Sequence, residues 1–182
     1  MLDQAIATAV KYHAGQQRKG RSAEHHIPYV VHPIEVMKTV WTWGVGDPAV
    51  LAAAVLHDTL EDTALTHAQL AEEFGDRVAG IVKELTRTPD MPKAEYMARF
   101  ATASVPALVV KLADRYCNTK DYLLVDPEHA VKYFSRAAVL VEAARHRLAE
   151  ITRAFGEETC GAIIADCESL EAVLETVGDG SA

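Results

Sequence analysis

Apolar residues recur three and four positions apart along almost the whole of this 182-residue chain, and the alternating pattern of a half-buried strand occurs almost nowhere. A chain with that period can bury its apolar stripes only by packing helix on helix, so the expected fold is all-α. Leu2, Ala5, Ile6, Ala9, Val10 and His13 fall on one stripe of a first helix that stops at Gly15. Gly15 to Pro28 reads as a loop. A second helix is expected from Pro33, whose fixed φ suits a first helical turn, to Trp43, with Gly44 and Gly46 breaking it. Pro48 opens a third, from Ala49 to about Glu61, apolar nearly all round until His57 and therefore buried.

Thr66-His67-Ala68-Gln69 has the form of a capping box and opens a fourth helix. Further helical patterns cover Asp76 to Leu85, Lys93 to Ala103, Ala107 to Leu124, Pro127 to Phe155 and Glu158 to Thr176, with Arg87 to Pro92 as a loop. No repeat or linker divides the chain. Residues 1–182 are therefore expected to form one compact helical bundle of about eight to ten helices. Trp41 and Trp43 sit two apart and point to different helix faces. At most one joins the core, which leaves the other for a contact in a homo-oligomer.

Composition narrows the partners. Apolar residues make up 49% and charged residues 24%, ordinary values for a globular protein. The apolar stretch around Val50 to Leu56 is too short to cross a bilayer, so no membrane partner is expected. Met1-Leu2-Asp3-Gln4 has no basic and apolar leader, and Cys117, Cys160 and Cys167 are odd in number with no C-x-x-C pair. Both features point to a reduced, cytoplasmic protein. A net charge of -8 repels a nucleic-acid backbone, and the cations gathered at Arg18, Lys19 and Arg21 are too few for a duplex. They suit a small, highly phosphorylated ligand.

The chemistry concentrates at Leu56-His57-Asp58-Thr59-Leu60-Glu61-Asp62-Thr63, where a buried apolar helix runs into four ionisable groups. On a continuing helix, Glu61 lies one turn beyond His57 and Asp62 one turn beyond Asp58. Such groups could simply be hydrated at a helix end. Acids near a helix C-terminus carry the wrong sign for its dipole, however, and grouped carboxylates beside an apolar run call for a compensating cation. Two further features stand out: a histidine in Tyr29-Val30-Val31-His32-Pro33, and a lone aspartate in Val109-Val110-Lys111-Leu112-Ala113-Asp114-Arg115.

In that order, H…HD…D resembles the ligand pattern of the HD-domain superfamily of metal-dependent phosphohydrolases. The resemblance is closer still to the hydrolase domain of RelA/SpoT-type alarmone enzymes. It is carried by Gly15-Gln16-Gln17-Arg18-Lys19-Gly20, by Pro28-Tyr29-x-x-His32-Pro33, by His57-Asp58-Thr59-x-Glu61-Asp62-Thr63, and by Lys111-Leu112-Ala113-Asp114-Arg115-x-x-Asn118. In length the chain is similar to the stand-alone small alarmone hydrolases, the metazoan SpoT homologue among them.

The resemblance implies an enzyme that removes the 3′-diphosphate of guanosine tetra- or pentaphosphate. His32, His57, Asp58 and Asp114 would hold Mn²⁺, with Zn²⁺ or Fe²⁺ as alternatives. Glu61 and Asp62 would be the catalytic carboxylates. Arg18, Lys19, Tyr29, Lys93, Lys111, Arg115, Asn118 and Tyr133 would contact the nucleotide. His13, beside the basic loop, is a candidate to line the pocket. His26-Ile27-Pro28-Tyr29 and Tyr116-Cys117 depart from the family pattern, at positions expected to border the nucleoside. An adenosine alarmone, another nucleoside phosphate or the phosphate of NADPH therefore stands as the alternative substrate, and a non-catalytic nucleotide sensor as the alternative class.

Overall fold

A computed structural model of the chain describes residues 1–18 and 27–178. Its α-helices are α1 (Leu2–Tyr12), α2 (Val31–Thr42), α3 (Pro48–Leu56), α4 (Thr59–Asp62), α5 (His67–Phe74), α6 (Asp76–Leu85), α7 (Lys93–Ala98), α8 (Val105–Val125), α9 (Pro127–Ser135), α10 (Ala138–His146), α11 (Leu148–Phe155) and α12 (Glu157–Gly178). A 3-10 turn, Arg99–Ala101, extends α7. Among the described residues the nearest approach to a strand is an isolated bridge between Gln17 and Pro28. The fold is all-α, with somewhat more helices than expected.

The centre is α3. Asp47 caps it by accepting from the Ala49 amide at 2.9 Å, Pro48 occupies its first turn, and Ala49 through Leu56 are all buried. A helix apolar on every side needs neighbours on every side, and α1, α2, α6 and α8 supply them. The second long element, α8, begins at a Ser104 cap and packs against α2, α9 and α10. The capping box at Thr66 forms in full, with Gln69 answering the Thr66 amide at 3.0 Å. Trp43 is buried and donates from Nε1 to Asp166 at 2.8 Å, whereas Trp41 is 62% exposed.

Three expectations change. The second helix starts at Val31 rather than Pro33, which places His32 inside its first turn. The stretch from Pro127 to Phe155 is three helices, because the chain turns at Arg136–Ala137 and again at Arg147. Neither turn contains glycine or proline. At the second, the Arg147 guanidinium donates to the Phe100 and Ala103 carbonyls at 3.3 and 2.7 Å, a tertiary contact that no local pattern announces. Finally, the third helix ends at Leu56, not at Glu61. No described helix is long and apolar enough to cross a membrane.

Candidate metal centre and substrate cleft

The end of α3 creates the site. At His57 and Asp58 the chain leaves α3, and Asp58 becomes the N-cap residue of the single turn α4. Thr59 secures this break by donating to the Leu56 carbonyl at 2.7 Å. Asp58 therefore precedes a single four-residue turn, and Glu61 and Asp62 are its last two residues. Asp62 keeps the expected one-turn relation to Asp58, since its amide donates to the Asp58 carbonyl at 2.9 Å. Glu61 and His57 do not share a helix, so their expected stacking on one face is lost.

The four predicted ligand residues come together from α2, the α3–α4 turn and α8. His32 Nε2 lies 3.1 Å from Asp114 Oδ1 and 3.9 Å from Asp58 Oδ2. His57 Nε2 lies 2.9 Å from Asp58 Oδ2 and 3.8 Å from Asp114 Oδ1. Donors bound to one cation at about 2.1 Å stand about 3 Å apart when adjacent, so these spacings suit a shared ion. His57 Nδ1 donates to the Ala54 carbonyl at 2.8 Å, so once the ring loses its second proton the bare nitrogen is Nε2, on the side of the carboxylates. That Nε2 is buried without a hydrogen-bond partner, as is His32 Nδ1. Among the described residues, His32, His57 and Asp58 form the one group whose ligand atoms all lie within 4.8 Å of one another.

Charges around these donors are strongly perturbed. Burial alone would strip His57 of its proton, but Asp58 and Asp114 outweigh burial and hold its pKa at about 10. For His32 burial wins, and the pKa falls. Burial opposes the charge on Asp114, yet Lys111 at 2.7 Å holds the carboxyl well below its usual range. Asp58 is likewise pushed down against burial, chiefly by His57. Tyr29 is pushed up by burial and then by Asp58, so it stays a phenol and donates to Asp58 Oδ2. Ligation needs neutral imidazoles, so a cation at this point competes with the proton on His57.

The cluster forms the floor of a cleft of about 860 Å³. Among its lining residues are Arg18, Tyr29, His32, Asp58, Glu61, Lys93, Lys111, Asp114, Arg115, Asn118 and Tyr133, all singled out from sequence. His57 lies beneath the floor. Asp62 is not part of the lining, and its carbonyl accepts from Gln16 Nε2 at 2.8 Å. Its carboxyl is raised by burial and then by Asp58 and Glu61. Lys19 falls outside the described residues. His13 does not reach the cleft. It is buried, with its ring 4.8 Å from Tyr29 and Nδ1 on Gln16 at 2.7 Å.

Tyr116 and Cys117 also depart from expectation. They face a separate hollow of about 320 Å³ between α2, α8 and α12. Tyr116 packs edge-on against Trp43 with centroids 6.0 Å apart. On α8 these positions turn away from the face that carries Asp114 and Asn118, so they do not border the substrate cleft.

Sequence reasoning missed Arg87, Tyr96, Met97, Arg136 and Val139, which also line the cleft. The Arg87 amide donates to Glu61 Oε2 at 2.8 Å, and its guanidinium reaches the Met91 carbonyl at 3.1 Å. Arg136 follows Tyr133 by one helical turn, a spacing that would have paired them. Arg115 lies 4.5 Å over the Tyr133 ring, and its buried Nε lacks a partner. Among the described residues, six cationic side chains and three carboxylates thus line the cleft of a protein whose net charge is -8.

The donor set at the floor and the cationic wall above it are those of a metal-dependent phosphohydrolase of the HD type. The HD domain family model matches residues 5–135, and the chain belongs to that family. Family membership and the His32, His57 and Asp58 cluster together point to a divalent metal. Among its relatives is the guanosine-3′,5′-bis(diphosphate) 3′-pyrophosphohydrolase MESH1 of Xenopus tropicalis. It is 35% identical over 155 residues, 80% of this chain and 85% of that protein. A protein named guanosine-3′,5′-bis(diphosphate) 3′-pyrophosphohydrolase from Aquifex aeolicus is 32% identical over 81% of this chain, which spans only 21% of that longer protein. A solved structure of a metazoan ortholog of SpoT, described as hydrolysing ppGpp and playing a role in starvation responses, superposes with a TM-score of 0.76. It is 26% identical and covers 93% of this chain and 92% of its own.

Proposed function

We propose that the chain is a 3′-pyrophosphohydrolase of guanosine tetra- and pentaphosphate, with residues 1–182 acting as one HD-type domain. The observation that carries this reading is a two-histidine, two-aspartate cluster at the floor of a cationic cleft, in a chain 35% identical to an enzyme named for that reaction. His32, His57, Asp58 and Asp114 hold the metal, and Mn²⁺ suits their mixed imidazole and carboxylate donors, with Zn²⁺ or Fe²⁺ as alternatives. When bound, the ion polarises the scissile phosphate and lowers the pKa of a water.

The chain's own groups supply the rest. Tyr29 donates to Asp58 and orients it, while Lys111 and Asn118 orient Asp114 at 2.7 and 2.6 Å. Glu61 lines the cleft beside Asp58 and is the general acid or base that exchanges a proton with the attacking water. Its geometry is set by the Arg87 amide. Asp62, one turn from Asp58 and outside the cleft lining, is the second carboxylate, assigned to orient the leaving diphosphate once substrate is bound. Arg18, Lys93 and Arg115 bind phosphate, Lys19 joins them from the adjoining basic segment, and Asn118 and Tyr133 face the nucleoside. The protein acts in the cytoplasm, on a small phosphorylated nucleotide, and the exposed Trp41 offers a contact for a second copy.

Incubation of the Mn²⁺-loaded protein with guanosine and adenosine 3′-diphosphates, deoxynucleotides and NADPH, following pyrophosphate and phosphate release, tests this reading. Release of pyrophosphate from the guanosine compounds at the highest kcat/KM supports it. Preferred turnover of any other member overturns the assigned substrate.

A further inference from the structure

One guanidinium ties the segment after α1 to α8. The Arg18 amide donates to the Ile27 carbonyl at 2.9 Å, beside the bridge between Gln17 and Pro28, so its backbone is fixed. Its side chain then crosses to α8. There Nε and Nη2 both donate to Asp121 Oδ2, at 3.1 and 2.8 Å, and Nη2 donates again to Asn118 Oδ1 at 2.5 Å. Asn118 passes the contact on to Asp114 through a 2.6 Å bond. Both side chains of the ion pair are almost wholly buried.

This arrangement uses the Nε hydrogen and both hydrogens of Nη2. Nη1 keeps two N–H groups with no partner among the described residues, and Arg18 lines the substrate cleft. Asp121 does not line that cleft. Two helical turns beyond Asp114 on nearly the same face of α8, it stands where the cleft gives way to the neighbouring hollow. Its carboxylate thus grips the Nε–Nη2 edge of the guanidinium, and among the described residues the Nη1 end has no partner.

We infer that Asp121 is a positioning residue that holds Arg18 so that Nη1 meets a terminal phosphate of the substrate. The inference rests on the 3′-diphosphate reading of the cleft. Arginine has a long, rotamer-rich side chain, and fixing it before binding removes a cost that each binding event would otherwise carry. Asp121 therefore acts on substrate affinity through Arg18 and has no part in the chemical step.

The test is a double-mutant cycle on the Mn²⁺-loaded full chain with Asp121→Asn, Arg18→Ala and the two combined. With guanosine 3′,5′-bis(diphosphate), Asp121→Asn raises KM by about tenfold or more, the worth of a hydrogen bond to a charged group, and leaves kcat within about threefold. Placed on Arg18→Ala, the same substitution changes KM no further. Asp121→Glu, which keeps the charge, loses less than Asp121→Asn and serves as the second variant should the amide impair folding. An unchanged or lowered KM, additive losses, or equal losses in the Glu and Asn variants would overturn the inference. The same cycle run on binding of inorganic pyrophosphate, by calorimetry, needs no turnover. It judges Asp121 even if the wild type proves to act on another nucleotide.

Discussion

Replacing Lys111 with methionine should destabilise the metal-free protein far more than the metal-loaded one. Lys111 lies buried on α8 with Nζ 2.7 Å from Asp114 Oδ2 and 5.1 Å from the Tyr96 ring centroid. Methionine matches the stem but removes the charge. The Asp114 carboxylate is then left buried near Asp58, with Asn118 and the imidazoles as its remaining partners. Breaking a buried ion pair from one side costs about 3–5 kcal/mol. His57, protonated in the absence of metal and 3.8 Å away, offsets part of this, so the expected loss is near 3 kcal/mol. For a chain of this length that is a fall in Tm of about 6–12 °C. Asp114 is held below its ordinary pKa and Lys111 above its own. The pair's contribution is therefore complete between about pH 4 and 10, and disappears as acid protonates Asp114 or base removes the Lys111 proton.

A divalent ion bound to Asp114 supplies the missing positive charge. In the loaded protein the loss should shrink to about 1 kcal/mol, the lost contact with the Tyr96 ring. Thermal unfolding of wild type and Lys111→Met, each in chelator and in saturating Mn²⁺ at neutral pH, reads both values. An equal loss in the two states would mean that no cation faces Asp114. A loss under about 1 kcal/mol without metal would mean that Asp114 carries no buried charge there.

Other substitutions probe the remaining parts of the site and fold. His57→Ala or Asp58→Ala should abolish metal retention, read by elemental analysis, and turnover with it, while circular dichroism stays helical. Glu61→Gln should keep the metal and lower kcat by on the order of 10² to 10⁴, the worth of a positioned acid or base, and single-turnover kinetics would show the deficit in the chemical step. Gly44→Ala should cost about 2–4 kcal/mol in denaturant unfolding without changing metal content. Its φ is +94°, and an added Cβ would stand 2.9 Å from Thr159 Oγ1.

Helical periodicity alone determined the all-α class, because a stripe repeating every three or four residues has a single way to be buried. It also marked α3 as central, since eight successive buried residues after Pro48 leave no face for water. His32, His57, Asp58 and Asp114 were legible as a set because acids and imidazoles next to apolar runs are costly unless something binds them. Where the third helix stops was not legible. Nothing in Leu56-His57-Asp58-Thr59 forbids another helical turn, and the break depends on Thr59 bonding back to Leu56 while Asp58 turns to meet His57, Tyr29 and α2.

Tertiary structure also decided which neighbours on α8 face the cleft. Asp114 and Asn118 lie one turn apart and share a side, whereas Tyr116 and Cys117 rotate to the opposite hollow. Periodicity gives their relative angle but not the helix's absolute rotation. That rotation is set by the packing of α2, α9 and α10 against it. Arg87 and Arg136 escaped the sequence reading for the same reason. A cation in a loop or at a helix end is ordinary surface chemistry until separate segments close over one space, and that closure is a property of the fold.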